Sequence, residues 1–296
     1  MESSADRSAV ESAWPRTGRL VRILTVISLI AMIAPVVRAQ QSTPPGSNLT
    51  PFQFEVESQR RRLSSSDIEE RRDAIQRLAA MKHPASAAVA AAGLRDPAPI
   101  VRATSARAVL ELPSDNAAAL LMPLLQDRDE FVRQETAYAL GETRNRAAVD
   151  TLMALLQREK KDRVRGAAVV ALGKIGDERA VITLTELLGR RIAASGLLNR
   201  VRRRKKDENE FVRRAAAHSL GEIGSKAAIP ALSAILLDER APDDVRREAA
   251  ASLGAIGDQS AVGALRTVIA ARDPYLARIA YEALRKISPA VAGQPM

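Results

Sequence analysis

The chain has 296 residues, a formal net charge of +10, 46% apolar but only 3% aromatic residues, and no cysteine. That apolar fraction is ample for a core, which must be built from Ala, Leu, Val and Ile, small side chains that suit close helix-on-helix packing. The missing cysteines exclude disulfides, thiolate metal sites, a cysteine nucleophile and a lipid-modified N-terminal cysteine.

Residues 1–39 read as a signal peptide. Arg16, Arg19 and Arg22 precede an uncharged run of 15 residues from Ile23 to Val37, and Val37-Arg38-Ala39 puts small residues at the two cleavage positions. A spanning helix wants about 20 residues, and Pro35 suits the approach to a cleavage site better than the inside of a span. The first expectation is a cleaved signal and a periplasmic or secreted protein. A retained N-terminal membrane anchor, and a cytoplasmic protein whose start is misassigned, are the alternatives. Residues 40–63 hold three prolines and few periodic apolar positions. They are expected to form a flexible linker, with alternating Phe52, Phe54 and Val56 available to cap the first repeat.

From residue 64 to 288 one two-part unit recurs, clearest between Asp162 and Arg190. Val164, Ala168, Ala171 and Leu172 fall on one face of a helix. Gly173 and Gly176 are expected to stop it, and Asp177 to cap a second helix with the stripe Val181, Leu184, Leu187 and Leu188. Helices of about three turns do not persist alone in water, so each must bury its stripe against a partner. Aligning on Leu172 picks out Leu78, Val109, Leu140, Leu172, Leu220, Leu253 and Leu284, at intervals of 31, 31, 32, 48, 33 and 31 residues. Five residues after these markers stand the helix-capping types Ser114, Asn145, Asp177, Ser225 and Asp258; one after stand Gly141, Gly173, Gly221 and Gly254. The predicted fold is all-α, an α-solenoid or superhelix of about seven helical hairpins over 64–288. A tail over 289–296 is expected to fray.

The pattern D-x-V-R-x-x-A-x-x-A-L-G-x-I-G-D-x-x-A-x-x-x-L-x-x-L-L, clearest over 162–188, 209–237 and 243–269, resembles the short HEAT repeat of the phycobilisome-lyase type. The resemblance specifies a fold; repeats of this type occur in scaffolds, lyase subunits and hydroxylases. Deoxyhypusine hydroxylase, built from such repeats, holds iron with His-Glu pairs just after the Val-Arg position of the first helix. The matching positions here read Gln134-Glu135, Gly166-Ala167, Arg214-Ala215 and Arg247-Glu248. With no histidine there, no metal, cofactor or catalytic residue is expected, and the chain reads as a non-catalytic scaffold for protein–protein interaction. A HEAT-type enzyme and a nucleic-acid-binding solenoid like the HEAT-like DNA glycosylases are the alternatives, the latter disfavoured by export. His218 is read as a packed or half-exposed residue, and the tyrosines Tyr138, Tyr275 and Tyr281 as packing residues, not a stacking platform.

Two charge features remain. An arginine stands seven residues before the marker at Arg102, Arg133, Arg165, Arg213 and Arg246, with an acid three residues earlier at Glu130, Asp162, Glu210 and Asp243. These are expected to form a structural ladder, the acids in the positive first turn of a helix and the arginines pairing with neighbouring acids. The 48-residue interval contains an insertion, 190–207, in which residues 190–206 hold eight Lys or Arg and no acid. The first 39 residues contribute +2 of the +10, so the insertion accounts for the whole remaining charge. A short amphipathic helix using Ile192, Leu197, Leu198 and Val201, or a solvated loop, would present Arg200, Arg202, Arg203, Arg204, Lys205 and Lys206 to another protein, an acidic envelope component or an anionic membrane surface.

Overall fold

The computed structural model describes residues 49–189, 191–193 and 205–292. The signal expected over 1–39 lies outside them, as do Arg190 and residues 194–204 of the insertion. Contacts divide the chain after Gln53, and the repeat architecture is that of the unit beginning at Phe54. Among the described residues no helix is long and apolar enough to cross a membrane.

Helix α1, Pro51–Arg62, precedes the repeats. In the first three repeats α2 (Ile68–Ala80) is followed by α3 (Pro84–Ala90), α4 (Pro99–Ala108) by α5 (Ser114–Leu121), and α6 (Glu130–Thr143) by α7 (Val149–Arg158). The next three are α8 (Asp162–Ile175) with α9 (Val181–Gly189), α10 (Glu210–Ile223) with α11 (Ile229–Leu237), and α12 (Asp243–Ile256) with α13 (Val262–Thr267). Helix α14, Pro274–Ile287, is the first helix of a seventh repeat, and among the described residues the turn α15 (Pro289–Ala292) follows it. Successive first helices stack on one another, and second helices such as α9 and α11 pack on the first helix of the next repeat. The marker residues Leu78, Val109, Leu140, Leu172, Leu220, Leu253 and Leu284 are all fully buried. One apolar core runs from Leu94 to Ile287.

The glycine after the marker works differently from expectation. Gly141, Gly173, Gly221 and Gly254 lie inside their helices, and the left-handed residue that ends each helix comes three positions later, at Gly176, Gly224 and Gly257, with φ of +71, +73 and +73. Arg144 takes that conformation in repeat three, with φ 51. The interior glycines instead allow first helices to approach. A Cβ on Gly141 would sit 2.8 Å from Ala171 Cα, one on Gly221 2.8 Å from Ser252 Cβ, and one on Gly254 2.7 Å from Ala283 Cβ. Each faces a small residue one before the marker of the following repeat, so the two columns form a single contact.

Three further expectations change. Residues 51–62 of the predicted linker are helical. Pro51 stands in the first turn, where a missing amide costs nothing, and Thr50 and Gln53 form a reciprocal capping box: Gln53 N donates to Thr50 Oγ1 at 3.2 Å and Thr50 N to Gln53 Oε1 at 2.9 Å. Val56 and Gln59, one turn apart, are the buried pair, while Phe54 is exposed, so helical period replaces the alternation read from the sequence. The predicted fraying tail begins with the helical turn α15. The insertion, expected as a short helix or loop, starts and ends as an antiparallel ribbon of β1 (Arg191–Ala193) and β2 (Lys205–Asp207), pairing Arg191 with Asp207, Ile192 with Lys206 and Ala193 with Lys205. Backbone hydrogen bonds across its neck satisfy amides that lie beyond the end of α9, where no helix partner remains.

Candidate functional site: the arginine ladder and the basic insertion

The acids three residues before the ladder arginines are loose neighbours of them and not their hydrogen-bond partners. Asp162 and Asp243 lie 3.8 and 3.9 Å from Arg165 and Arg246, outside hydrogen-bond distance. The working partner is an acid in the loop before the next repeat. Arg102 forks onto Asp127 with two bonds of 2.8 Å, and Arg133 onto Glu159 at 2.7 and 3.3 Å. Arg71, which stands seven before Leu78 and which the sequence pattern did not single out, forks onto Asp96 at 2.7 and 2.9 Å. Arg71, Arg102 and Arg133 also donate from Nη1 to two carbonyls of the turn that opens their own helix, as Arg102 does to Asp96 and Pro97. Each rung therefore joins the two loops that flank one hairpin. Arg213 and Arg246 turn backwards and donate from Nε to the terminal carbonyls of the preceding second helix, Leu188 at 2.9 Å and Leu236 at 3.1 Å.

The rung of repeat four spans the insertion. Arg165 donates to both oxygens of Glu208 at 2.5 and 2.6 Å, with the two side chains 7% and 0% exposed. Glu208 directly follows β2, and Asn209 adds a bond to Asp162 Oδ2 at 2.7 Å. Elsewhere the ladder acid comes soon after the second helix; here the insertion intervenes, and the rung closes behind it. Both limbs of the insertion are thus held, by the β1–β2 pairing and by a buried charge pair. Of the six basic residues singled out, Lys205 and Lys206 lie on β2, while Arg200, Arg202, Arg203 and Arg204 fall outside the described residues.

Three carboxylates of the ladder, Asp96, Asp127 and Glu159, titrate low. Burial pushes Asp96, Asp127 and Glu159 upward, but the hydrogen bonds from Arg71, Arg102 and Arg133 and from the amides of Ala98, Asp129 and Lys161 outweigh it. The capping column divides. Asn145, Asp177, Ser225 and Asp258 accept from the amides of Ala147, Arg179, Ala227 and Ser260. Asp177 is held below the usual carboxylate range mainly by the Arg179 side chain, and Asp258 by Lys226 at 2.7 Å. Ser114 does not cap, because Pro113 precedes it and Ser114 is already helical; its hydroxyl donates instead to the Thr143 carbonyl of the next repeat at 3.0 Å.

On the first-helix face, two of the four positions that match the hydroxylase metal pairs carry an arginine in an ion pair. Arg214 lies 3.9 Å from Asp244, and Arg247 donates to Asp273 at 2.7 Å and lies over the Tyr275 ring at 5.3 Å. Tyr138 is half-buried against the core, whereas Tyr275 and Tyr281 are exposed. His218, exposed, lies 2.8 Å from Glu248. No group of three or more His, Asp or Glu side chains able to hold a metal gathers among the described residues.

Stacked helical hairpins, a marker column buried throughout and a ladder linking the loops define an α-solenoid. The chain belongs to the HEAT-repeat family: the HEAT-repeat profile matches residues 60–141, 119–194 and 187–244, and the profile of the phycobilisome-lyase HEAT-like repeat matches 245–270. No curated protein matches the chain. Among solved structures, YibA of Escherichia coli is similar at 20% identity, over 79% of this chain and 81% of its own, with a TM-score of 0.54. The complex of CpcE and CpcF of phycocyanin lyase from Nostoc is similar at 22% identity, over 84% and 92%, with a TM-score of 0.47. Human deoxyhypusine hydroxylase is similar at 19%, over 79% and 96%, with a TM-score of 0.37. At these identities the likeness is one of fold.

Proposed function

We propose that this chain is an exported, non-catalytic scaffold that binds another protein or an acidic envelope component through its basic insertion. The observation that carries this reading is the separation of charge. Residues 190–206 hold +8, and the remainder of the chain after residue 39 nets zero. Such a block attracts acidic protein surfaces and anionic headgroups, with strong dependence on salt. The Arg165–Glu208 rung and the β1–β2 neck support it as a feature carried at a defined point on the repeats. The arginines Arg214 and Arg247, standing in ion pairs where the hydroxylase has metal-binding histidines, favour binding over metal chemistry.

The test replaces Arg200, Arg202, Arg203, Arg204, Lys205 and Lys206 with glutamine in the full-length chain, leaving Glu208 in place, and crosslinks both proteins in the native cell envelope. The substituted version, which keeps only Arg190 and Arg191 of the eight basic residues, is expected to lose the partners captured by the natural chain, and the natural chain to lose them in high salt. Recovery of the same partners by both versions would reject the insertion as the contact. Mass spectrometry of the envelope protein checks export separately, through loss of residues 1–39.

A further inference from the structure

The ladder contains its own template for a ligand. Asp96, Asp127 and Glu159 each stand thirteen residues before the next marker, and the corresponding position before Leu284 is Ala271. Arg246, the arginine of that rung, keeps the sheltered setting of the others, with its side chain 11% exposed against 7% for Arg165. Its Nε is used by the Leu236 carbonyl. Among the described residues its ion-pair neighbour is Asp243, 3.9 Å away and 62% exposed. That neighbour does not use up the guanidinium: Arg165 has Asp162 at 3.8 Å and still takes Glu208 through two short bonds.

Where Arg71, Arg102, Arg133 and Arg165 hold an acid, Arg246 of repeat six lines a cleft of about 820 Å³ together with Glu239, Asp243, Ala271, Arg272 and Asp273. Asp273 is engaged by Arg247 and by the amide of Tyr275. We propose that this cleft binds a carboxylate supplied from outside the chain, with Arg246 receiving it through Nη1 and Nη2, as Arg165 receives Glu208, because its Nε is held by the Leu236 carbonyl. A planar two-oxygen group matches the guanidinium fork. Glu239 and Asp243 on the rim penalise a second negative charge, which selects a monocarboxylate over a phosphate dianion. The carboxylate belongs either to a free small molecule or to an acidic side chain of a polypeptide. This site uses none of the residues of the basic insertion, so it stands or falls separately from the proposed scaffold contact.

The experiment follows the Arg246 Nε–H and the Ala271 and Arg272 amide resonances of the full-length isotope-labelled protein. It titrates sodium acetate, and separately a capped tripeptide with one central glutamate, against sodium chloride at equal ionic strength. Saturable shifts with acetate or peptide, absent with chloride, are expected, and the tighter of the two identifies the source of the carboxylate. Ala271→Asp, which supplies an internal acid, should weaken the response at least tenfold, while Ala271→Asn should retain it. Should A271D fail to fold, Arg246→Gln followed at the Ala271 and Arg272 amides serves the same purpose. A wild-type response no different from chloride, or one that persists at full strength in A271D or R246Q, overturns the assignment.

Discussion

At the scale of single residues, the charges that matter are the buried ones. Glu208 is fully buried against Arg165, and an uncompensated buried charge costs about 3–5 kcal/mol. Glu208→Gln should lower the unfolding free energy by about that amount in denaturant titration, whereas Lys226→Ala, which removes an exposed partner of Asp258, should leave it near wild type. Equal effects from both would mean that the ladder is no stronger than a surface pair. The same residues set the response to acid. Asp96, Asp127 and Glu159 have folded-state pKa values below those of the unfolded chain, which are about 3.9 for Asp and 4.3 for Glu. The stability they contribute is complete above about pH 5 and is lost as pH falls through 4 toward the folded values. The melting temperature should therefore drop steeply below pH 4, and Asp127→Asn should flatten part of that slope while lowering stability at neutral pH. A melting temperature constant from pH 6 to 3 would contradict the ladder's electrostatics.

At the scale of elements, the distance between first helices is decided by glycine. Replacing a helical glycine with alanine normally gains about 1 kcal/mol in helix propensity. At Gly141 that gain opposes a Cβ 2.8 Å from the Ala171 backbone, an overpacking that costs about 1–3 kcal/mol. Gly263 lies in α13 with nothing within 4 Å of an added Cβ. Gly141→Ala should destabilise the protein and Gly263→Ala should stabilise it by up to about 1 kcal/mol, both measured by chemical unfolding; stabilisation by both would show that the helices are not in close contact at Gly141. Much of this level was legible in advance. The spacing of Leu78, Val109, Leu140 and the later markers located every first helix, because burial of one face requires helical period. The role of Gly141 was not legible, since its neighbour Ala171 lies in another repeat and no local pattern separates a glycine that ends a helix from one that admits a second helix. The helix over 51–62 was hidden for the opposite reason: Pro51 reads as loop composition together with Pro44 and Pro45, although it stands in the first helical turn, where proline is tolerated.

At the scale of the whole molecule, the repeats act as a frame and the insertion as its irregular feature. Neutralising the six basic residues removes six positive charges while leaving the Arg165–Glu208 rung intact, so thermal stability should stay within about 1 kcal/mol of wild type as capture of partners is lost. Unfolding of this variant would instead make the insertion part of the core architecture. Period, composition and charge were enough to determine the all-α solenoid, its repeat boundaries and the place of the insertion, because each depends on residues close together in the chain. Tertiary structure alone decided which acid each arginine receives, that Glu208 closes its rung behind the insertion, and that Arg246 lines a cleft where Asp96, Asp127 and Glu159 have no counterpart. Those partners are separated by 25 to 43 residues and meet only when hairpins stack, so their pairing is a property of the packed array and of no single repeat.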